Sequence, residues 1–281
     1  MRVYISIDME GVAGIATFDQ TVRGGSGYPR AQRLMTAEAN AAVQGAFDAG
    51  ADEVVVEDSH GTMDNLLQDE LDPRALLVTG TPKACAMVQG LAEGDAVALF
   101  LGYHAASGEH GVLTHSFSGN FLQIRLDGRP VGETEVNGLY AASLGVPVGL
   151  VTGDDAVCST AEKELPGVRV VAVKQATGFH TARSLHPHAA AARIRAAARE
   201  AVSSSGGLSC RPVPGTMRVE IDFTSPLACD YAMTVPESRR VGGHTLEREV
   251  GSAQELLRLI SACGYLSAYG ARELAKVGAR R

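Results

Sequence analysis

Val97-Ala-Leu-Phe-Leu101-Gly-Tyr-His104-Ala-Ala-Ser-Gly-Glu-His110-Gly-Val-Leu-Thr-His115-Ser116 opens on an apolar run and then breaks into polar residues. The run 97–101 shows no alternation. A strand that is apolar on every position is buried on both faces, which is the signature of a parallel sheet covered by helices. His104 stands where that strand should stop. In open α/β sheets ligands bind at the carboxyl ends of strands. His115 lies across a glycine-bearing loop from His104, and His110, inside the loop, is expected to face solvent or line an entrance.

Other strand ends carry matching groups. Val3-Tyr-Ile-Ser-Ile7 ends in Asp8-Met-Glu10-Gly11. Residues i and i+2 of an extended chain share a face, so Asp8 and Glu10 point the same way. Two adjacent like charges repel unless a cation or protons compensate them; the competing reading is a solvated turn. Glu53-Val-Val-Val-Glu-Asp58-Ser59-His60 is a second β-branched strand that ends in an acid and a histidine. Phe121 to Leu126 alternates, and Asp127-Gly128 predicts a hairpin turn. Glu133 follows, at the start of a helix expected over 135–144; an acid in a first turn is also favoured by the helix dipole.

Between these pieces the pattern predicts a helix over 29–49, a strand over 76–78, a short helix over 83–89 and a strand over 146–151. Asp154 or Asp155 then caps a helix running to Leu165. A strand over 168–173 ends in Lys174-Gln175, and an Ala-rich helix over 188–203 follows His186 and His188, both expected on the surface. Strands alternating with helices imply an α/β fold with a largely parallel central sheet flanked by helices. Ser203-Ser-Ser-Gly-Gly-Leu reads as a linker. We therefore expect an α/β metal-binding catalytic core over residues 1–205 and a smaller C-terminal α+β portion over 206–281.

The bulk numbers exclude several classes. A net charge of −7 argues against a general nucleic-acid binder. No apolar run approaches the ~20 residues a membrane span needs, and the N-terminus reads as a strand running into an acid rather than as a signal peptide. Five dispersed cysteines without a C-x-x-C pair are expected to be free thiols of a cytoplasmic protein. There is no G-x-G-x-x-G, and no Walker lysine follows Gly24-Gly25-Ser26-Gly27, so a nucleotide site is not expected.

Asp8, Glu10, His60, His104 and Glu133 thus gather near strand ends of one sheet. Three carboxylates and two imidazoles suit a divalent metal, Zn²⁺ above all. A single catalytic zinc takes three protein ligands; five ligands with one bridging carboxylate, for which Asp8 is suited, serve two metals ~3.5–4 Å apart. The alternative is a set of unrelated polar strand ends.

Several blocks resemble the zinc-dependent D-aminopeptidase family first associated with a bacterial dipeptide-transport operon. They are Ser6-Ile-Asp8-Met-Glu10-Gly11, Glu57-Asp58-Ser59-His60, Leu101-Gly-Tyr-His104-Ala105, Thr114-His115-Ser116, Arg129-Pro-Val-Gly-Glu133, Gly153-Asp-Asp155 and Ala172-Val-Lys174-Gln175. They occur in the family's order over residues 1–190; the C-terminal part matches less clearly. The resemblance implies two zinc ions per subunit, with Asp8 contacting both, Glu10 and His104 serving one, and His60 and Glu133 the other. It places His115 at the catalytic position, where the family's label is nucleophile; because a metal-bound hydroxide makes a protein nucleophile unnecessary, proton shuttle or oxyanion donor is the expected role, against an alternative in which His115 only orients a ligand. It further implies a self-compartmentalising homodecamer of stacked rings. The expected reaction is hydrolysis of N-terminal residues, D-Ala among them, from short peptides or amides. The rival readings are a metal-dependent amidase of other specificity and a non-catalytic oligomeric metal- or ligand-binding protein. Lys174 could hold a substrate carboxylate or be structural.

Overall fold

Residues 1–278 are described by a computed structural model; the terminal Arg280-Arg281 lies outside them. The chain runs β1 (Arg2–Ile7), α1 (Phe18–Thr21), α2 (Tyr28–Asp48), β2 (Glu53–Asp58), β3 (Ala75–Val78), β4 (Val97–Tyr103), β5 (Phe121–Leu126), β6 (Arg129–Val131) and α3 (Glu133–Ser143). It continues with β7 (Val148–Asp154), α4 (Asp155–Glu164), β8 (Arg169–Gly178), β9 (Thr181–Ser184) and α5 (Pro187–Ser203). The last elements are β10 (Met217–Phe223), α6 (Pro226–Ala232), β11 (Arg239–Arg240), β12 (Thr245–Val250) and α7 (Ala253–Gly278).

The expected α/β architecture is present. A central sheet has the order β3-β2-β1-β4-β7-β8-β9. All its pairings are parallel except the edge hairpin of β8 with β9. The alternation in β1 assigns its two faces. Val3, Ile5 and Ile7 join Val54, Val56, Leu99 and Leu101 under α2 and α5, whereas Tyr4 joins Val55, Ala98 and Phe100 on the other face. Each fully buried Leu or Ile contributes ~1.5–3 kcal/mol. Helices α2 and α5 meet through small residues: a Cβ on Gly45 would stand 2.4 Å from the Arg195 carbonyl oxygen.

The other face of the central sheet is covered by a second, antiparallel sheet of order β11-β12-β10-β5-β6 with α3, α4, α6 and α7. This sheet joins the early hairpin β5-β6 to strands after residue 206. Asp127 and Gly128 turn the hairpin with φ of 52° and 82°, the left-handed pair that a two-residue connection requires.

Local differences from the expected elements have identifiable causes. The short helix expected over 83–89 is a single 3₁₀ turn, Ala86–Val88. Ala86 has φ of 44°, which an α-helix running through 83–89 could not accommodate, and Lys83 turns inward to Glu57. Strand β8 does not stop at Lys174 but continues to Gly178, because β9 returns alongside it.

Candidate metal centre

The chain leaves β1 toward β2 and β3 on one side, and β4 leads to β7 and β8 on the other. The crevice between the ends of β1 and β4 is therefore a topological switch point, where ligands bind in such sheets. Asp8 follows β1, His60 follows β2, and His104 follows β4. Glu133 is the first residue of α3.

Close backbone contact fixes β1 against β4. Asp8 N donates to Leu101 O at 2.9 Å and Gly11 N to Gly102 O at 2.7 Å. Gly102 has φ of 63°, and a Cβ there would lie 2.1 Å from Asp8 O; a Cβ on Gly11 would lie 2.0 Å from Tyr103 O. Only glycine allows the two loops to approach this closely.

The three histidines are held alike. His104 Nδ1 is 2.9 Å from Ala105 O, His60 Nε2 is 2.7 Å from Thr21 O, and His115 Nδ1 is 3.0 Å from Leu113 O. A carbonyl only accepts, so each of these ring nitrogens carries the proton and donates it. The opposite nitrogens face the acids. His60 Nδ1 is 3.1 Å from Asp8 Oδ1 and 2.8 Å from Glu10 Oε2. His104 Nε2 is 3.4 Å from Asp8 Oδ2 and 3.2 Å from Glu133 Oε2. His115 Nε2 is 4.0 Å from Glu133 Oε1, which also accepts from Phe117 N at 2.5 Å. Leu113 and Phe117, on either side of His115, have φ of 55° and 58°; such strain in bulky residues is held by the surrounding packing and collects at functional sites.

All six residues singled out in the sequence thus come together. The expected grouping set Glu10 with His104 and His60 with Glu133; here His60 turns to Asp8 and Glu10, and His104 stands between Asp8 and Glu133. Two sets of three donor atoms lie within 4.8 Å of one another, Asp8 with Glu10 and His104, and His104 with His115 and Glu133.

Burial and crowding of like charge push the Asp8 carboxyl up to about 7. Burial alone would raise Glu10, but the His60 imidazole holds it well below the usual carboxylate range. Burial alone would lower both inner imidazoles, yet Glu10 and Asp8 raise His60 well above its ordinary value, and Glu133 carries His104 up to about 10. Glu133 is held low by His104 in spite of its burial. Protons on the imidazoles thus offset the clustered carboxylates, and a divalent cation displaces such protons when it binds.

The residues fit a metal. Glu10 Oε2, His104 Nε2 and Glu133 Oε2 are buried without an aligned hydrogen bond, a costly state unless another partner is supplied. A histidine anchored through one nitrogen to a carbonyl, with the other nitrogen presented to a carboxylate cluster, is the arrangement of zinc-ligating imidazoles.

One supporting group lies outside every motif. Asn65 donates through Nδ2 to Asp58 Oδ1 at 2.8 Å and to His60 O at 2.6 Å, and Leu66 N donates to Asp58 Oδ2 at 2.7 Å. Asp58 and Asn65 thereby fix the turn that bears His60. Lys174 proves structural: it is 3% exposed, and its Nζ donates to the carbonyls of Glu10, Val12 (3.0 Å) and Ile15 (2.6 Å). It clamps the loop after β1 and is not free to hold a substrate. Asp154 caps α4, accepting from Val157 N at 2.9 Å, and also holds Val112 N at 2.8 Å. His110, His186 and His188 are exposed.

The carboxylates open into a cavity of about 760 Å³. Met87, Leu113, Phe117, Phe121 and Ile260 supply apolar wall, with His115 on its lining. Among the described residues no helix is long and apolar enough to cross a membrane, and the five cysteines are free.

Residues 1–262 match the family model described as D-aminopeptidase. A D-aminopeptidase of Bacillus subtilis (strain 168) is 34% identical over 245 residues, spanning 87% of this chain and 89% of that protein. A solved structure from Bacillus subtilis, a Zn-dependent D-aminopeptidase called a self-compartmentalizing protease, superposes with a TM-score of 0.92 at 31% identity. The match covers 95% of this chain and 98% of the other.

Proposed function

The chain belongs to the D-aminopeptidase family and is a metal-dependent aminopeptidase; from that premise we propose that it removes D-amino acids, D-Ala among them, from the amino termini of short peptides or amides, using two zinc ions per subunit. Asp8, Glu10, His60, His104 and Glu133 would hold the metal, with Asp8 as the shared ligand. The observation that carries this reading is the common anchoring of the histidines, each fixed by one ring nitrogen to a carbonyl and turned by the other toward three buried carboxylates.

Zinc held there would supply Lewis acidity, lowering the pKa of water toward ~7 and polarising a carbonyl. The protein's own groups do the rest. The apolar walls receive side chains and exclude bulk water. His115 Nδ1 is committed to Leu113 O, so its Nε2 is free to take a proton from the attacking water. It then returns that proton to the departing amine as the C–N bond breaks.

The relative's self-compartmentalising habit supports the same assembly here, for which stacked rings of ten subunits are the expected form. Phe18, Val22 and Phe179 are roughly half exposed in the single chain and would be covered in it.

The test is zinc content and hydrolysis of D- and L-aminoacyl amides and dipeptides, before and after chelation. About two zinc ions per chain and a chelation-sensitive preference for D substrates are expected. About one zinc or fewer per loaded chain overturns the two-metal reading, and an L preference overturns the substrate assignment.

A further inference from the structure

Below the carboxylates, on the same face of the central sheet, lies a second layer of polar side chains. Ser6, Tyr103 and Asn137 are 0% exposed and Ser59 is 4% exposed. Ser6 Oγ is the hub, 2.6 Å from Ser59 Oγ, 2.8 Å from the Tyr103 hydroxyl and 2.7 Å from Met87 O. Asn137 Nδ2 lies 3.0 Å from the Tyr103 hydroxyl.

Met87 O can only accept; it lies 2.7 Å from Ser6 Oγ and 3.2 Å from Ser59 Oγ, so either hydroxyl can donate to it. Asn137 Nδ2 donates to the Tyr103 hydroxyl, which is bonded in turn to Ser6 Oγ. The Tyr103 ring is held flat against Phe100, with centroids 5.0 Å and planes 7° apart. Position in the sequence gives the layer its meaning. Ser6 precedes Asp8 by two residues on one face of β1. Ser59 immediately precedes His60, and Tyr103 immediately precedes His104. Asn137 lies one helical turn beyond Glu133 on α3. Each of the four segments that carry the metal-facing groups therefore contributes one member. A purely apolar layer would fill the same space without directional bonds; a network of directional bonds restricts the relative placement of its segments, even with Asn137 Oδ1 left unpartnered.

We propose that Ser6, Ser59, Tyr103 and Asn137 are positioning residues that set the spacing of the metal-holding side chains by locking their four backbone segments together. The inference rests on the metal reading above, and the experiment separates the two.

Zinc affinity is measured by chelator competition, with the visible spectrum of the cobalt-loaded protein as second readout, for wild type, Ser6→Ala, Tyr103→Phe, Asp8→Asn and Tyr4→Phe. Tyr4 is the control. It is a buried tyrosine of β1, bonded to Gln89 O at 3.0 Å and outside the network. Ser6→Ala and Tyr103→Phe are expected to weaken zinc binding about 10–100-fold, as loss of supporting hydrogen bonds around metal ligands does, and to shift the cobalt bands. Tyr4→Phe should lose stability alone. If Ser6→Ala does not fold, Tyr103→Phe, which deletes one oxygen, carries the test. Wild-type affinity and spectrum in both network variants, or equal weakening in Tyr4→Phe, overturns the positioning role while leaving the metal site standing. Failure of wild type to bind zinc, or undiminished binding by Asp8→Asn, overturns the metal reading and this inference with it.

Discussion

The imidazoles of His104 and His115 lie face to face, with ring centroids 4.2 Å and planes 18° apart. Their exposures differ: the His104 side chain is 1% accessible and that of His115 is 31%. The His115 ring lines the cavity, and the His104 ring is buried against it. The stack therefore holds an accessible imidazole over the metal-facing groups without burying it.

Replacing His115 by Ala should leave zinc binding intact and lower kcat by about 10²–10⁴-fold, the usual worth of a positioned proton-transfer group. KM should change far less. Steady-state kinetics together with metal analysis check this. A His115→Ala enzyme that keeps full kcat would show that the ring only orients its neighbours, and one that loses zinc would make it a ligand.

Zinc should stabilise the fold. A ligand bound only by the native state adds about 2.7 kcal/mol at a hundred times its Kd, and ~1 kcal/mol raises Tm by roughly 2–4 °C in a chain of about this size. Chelation should lower Tm accordingly, and Asp8→Asn should abolish the difference. Equal melting with and without zinc in the wild-type protein contradicts a site held by these residues.

Gly102→Ala should be far more damaging than Gly50→Ala. Both glycines have positive φ, 63° and 87°, but a Cβ at Gly50 meets nothing within 4 Å whereas one at Gly102 meets Asp8 O at 2.1 Å. The left-handed conformation alone costs ~1–2 kcal/mol. Urea denaturation should show that loss for Gly50→Ala, and a markedly larger one, with impaired zinc binding, for Gly102→Ala. Equal losses would mean that β1 and β4 can separate without harm.

Glu38 gives a pH signature away from the metal. Burial pushes its carboxyl up from 4.5 to about 7, while Oε1 accepts from Ala13 N at 2.9 Å. Between those values the unfolded chain has released the proton and the folded chain keeps it. The unfolded state then binds fewer protons, so stability falls as pH rises and levels off above about pH 7. Glu38→Gln retains an acceptor for Ala13 and cannot ionise. The difference between variant and wild-type stability should grow in the variant's favour from pH 4.5 to 8, by at most roughly 3 kcal/mol. Parallel stability curves would refute it.

Much of this site was readable because its groups sit where strand patterns break. Asp8, His60 and His104 each end an apolar or β-branched run, which singled them out, and Glu133 sits at the junction before a helix expected from residue 135; the family resemblance supplied the roles. The switch point was not readable, since strand order depends on pairings that leave no local pattern. Lys174 was ambiguous for a related reason: a lysine at a strand end looks the same whether it faces substrate or three carbonyls. Asn65 carried no signal, because its partners Asp58 and His60 are defined only once the turn has folded. The short helix expected over 83–89 failed where Lys83 is drawn inward to Glu57 at 2.8 Å, a tertiary pull that local propensity does not record.

The pairing of β1 with β4, in which Val3 lies opposite Val97, has a consequence for the protein's synthesis. Ribosomes add ~5–20 residues per second, so a newly emerged Asp8 waits several seconds for His104 and longer for Glu133. Until both arrive there is no crevice in which the acidic and imidazole groups can meet. With the site as proposed, a chain that ends before Glu133 should hydrolyse nothing, and activity should begin only when the polypeptide has been made far enough to close its own sheet.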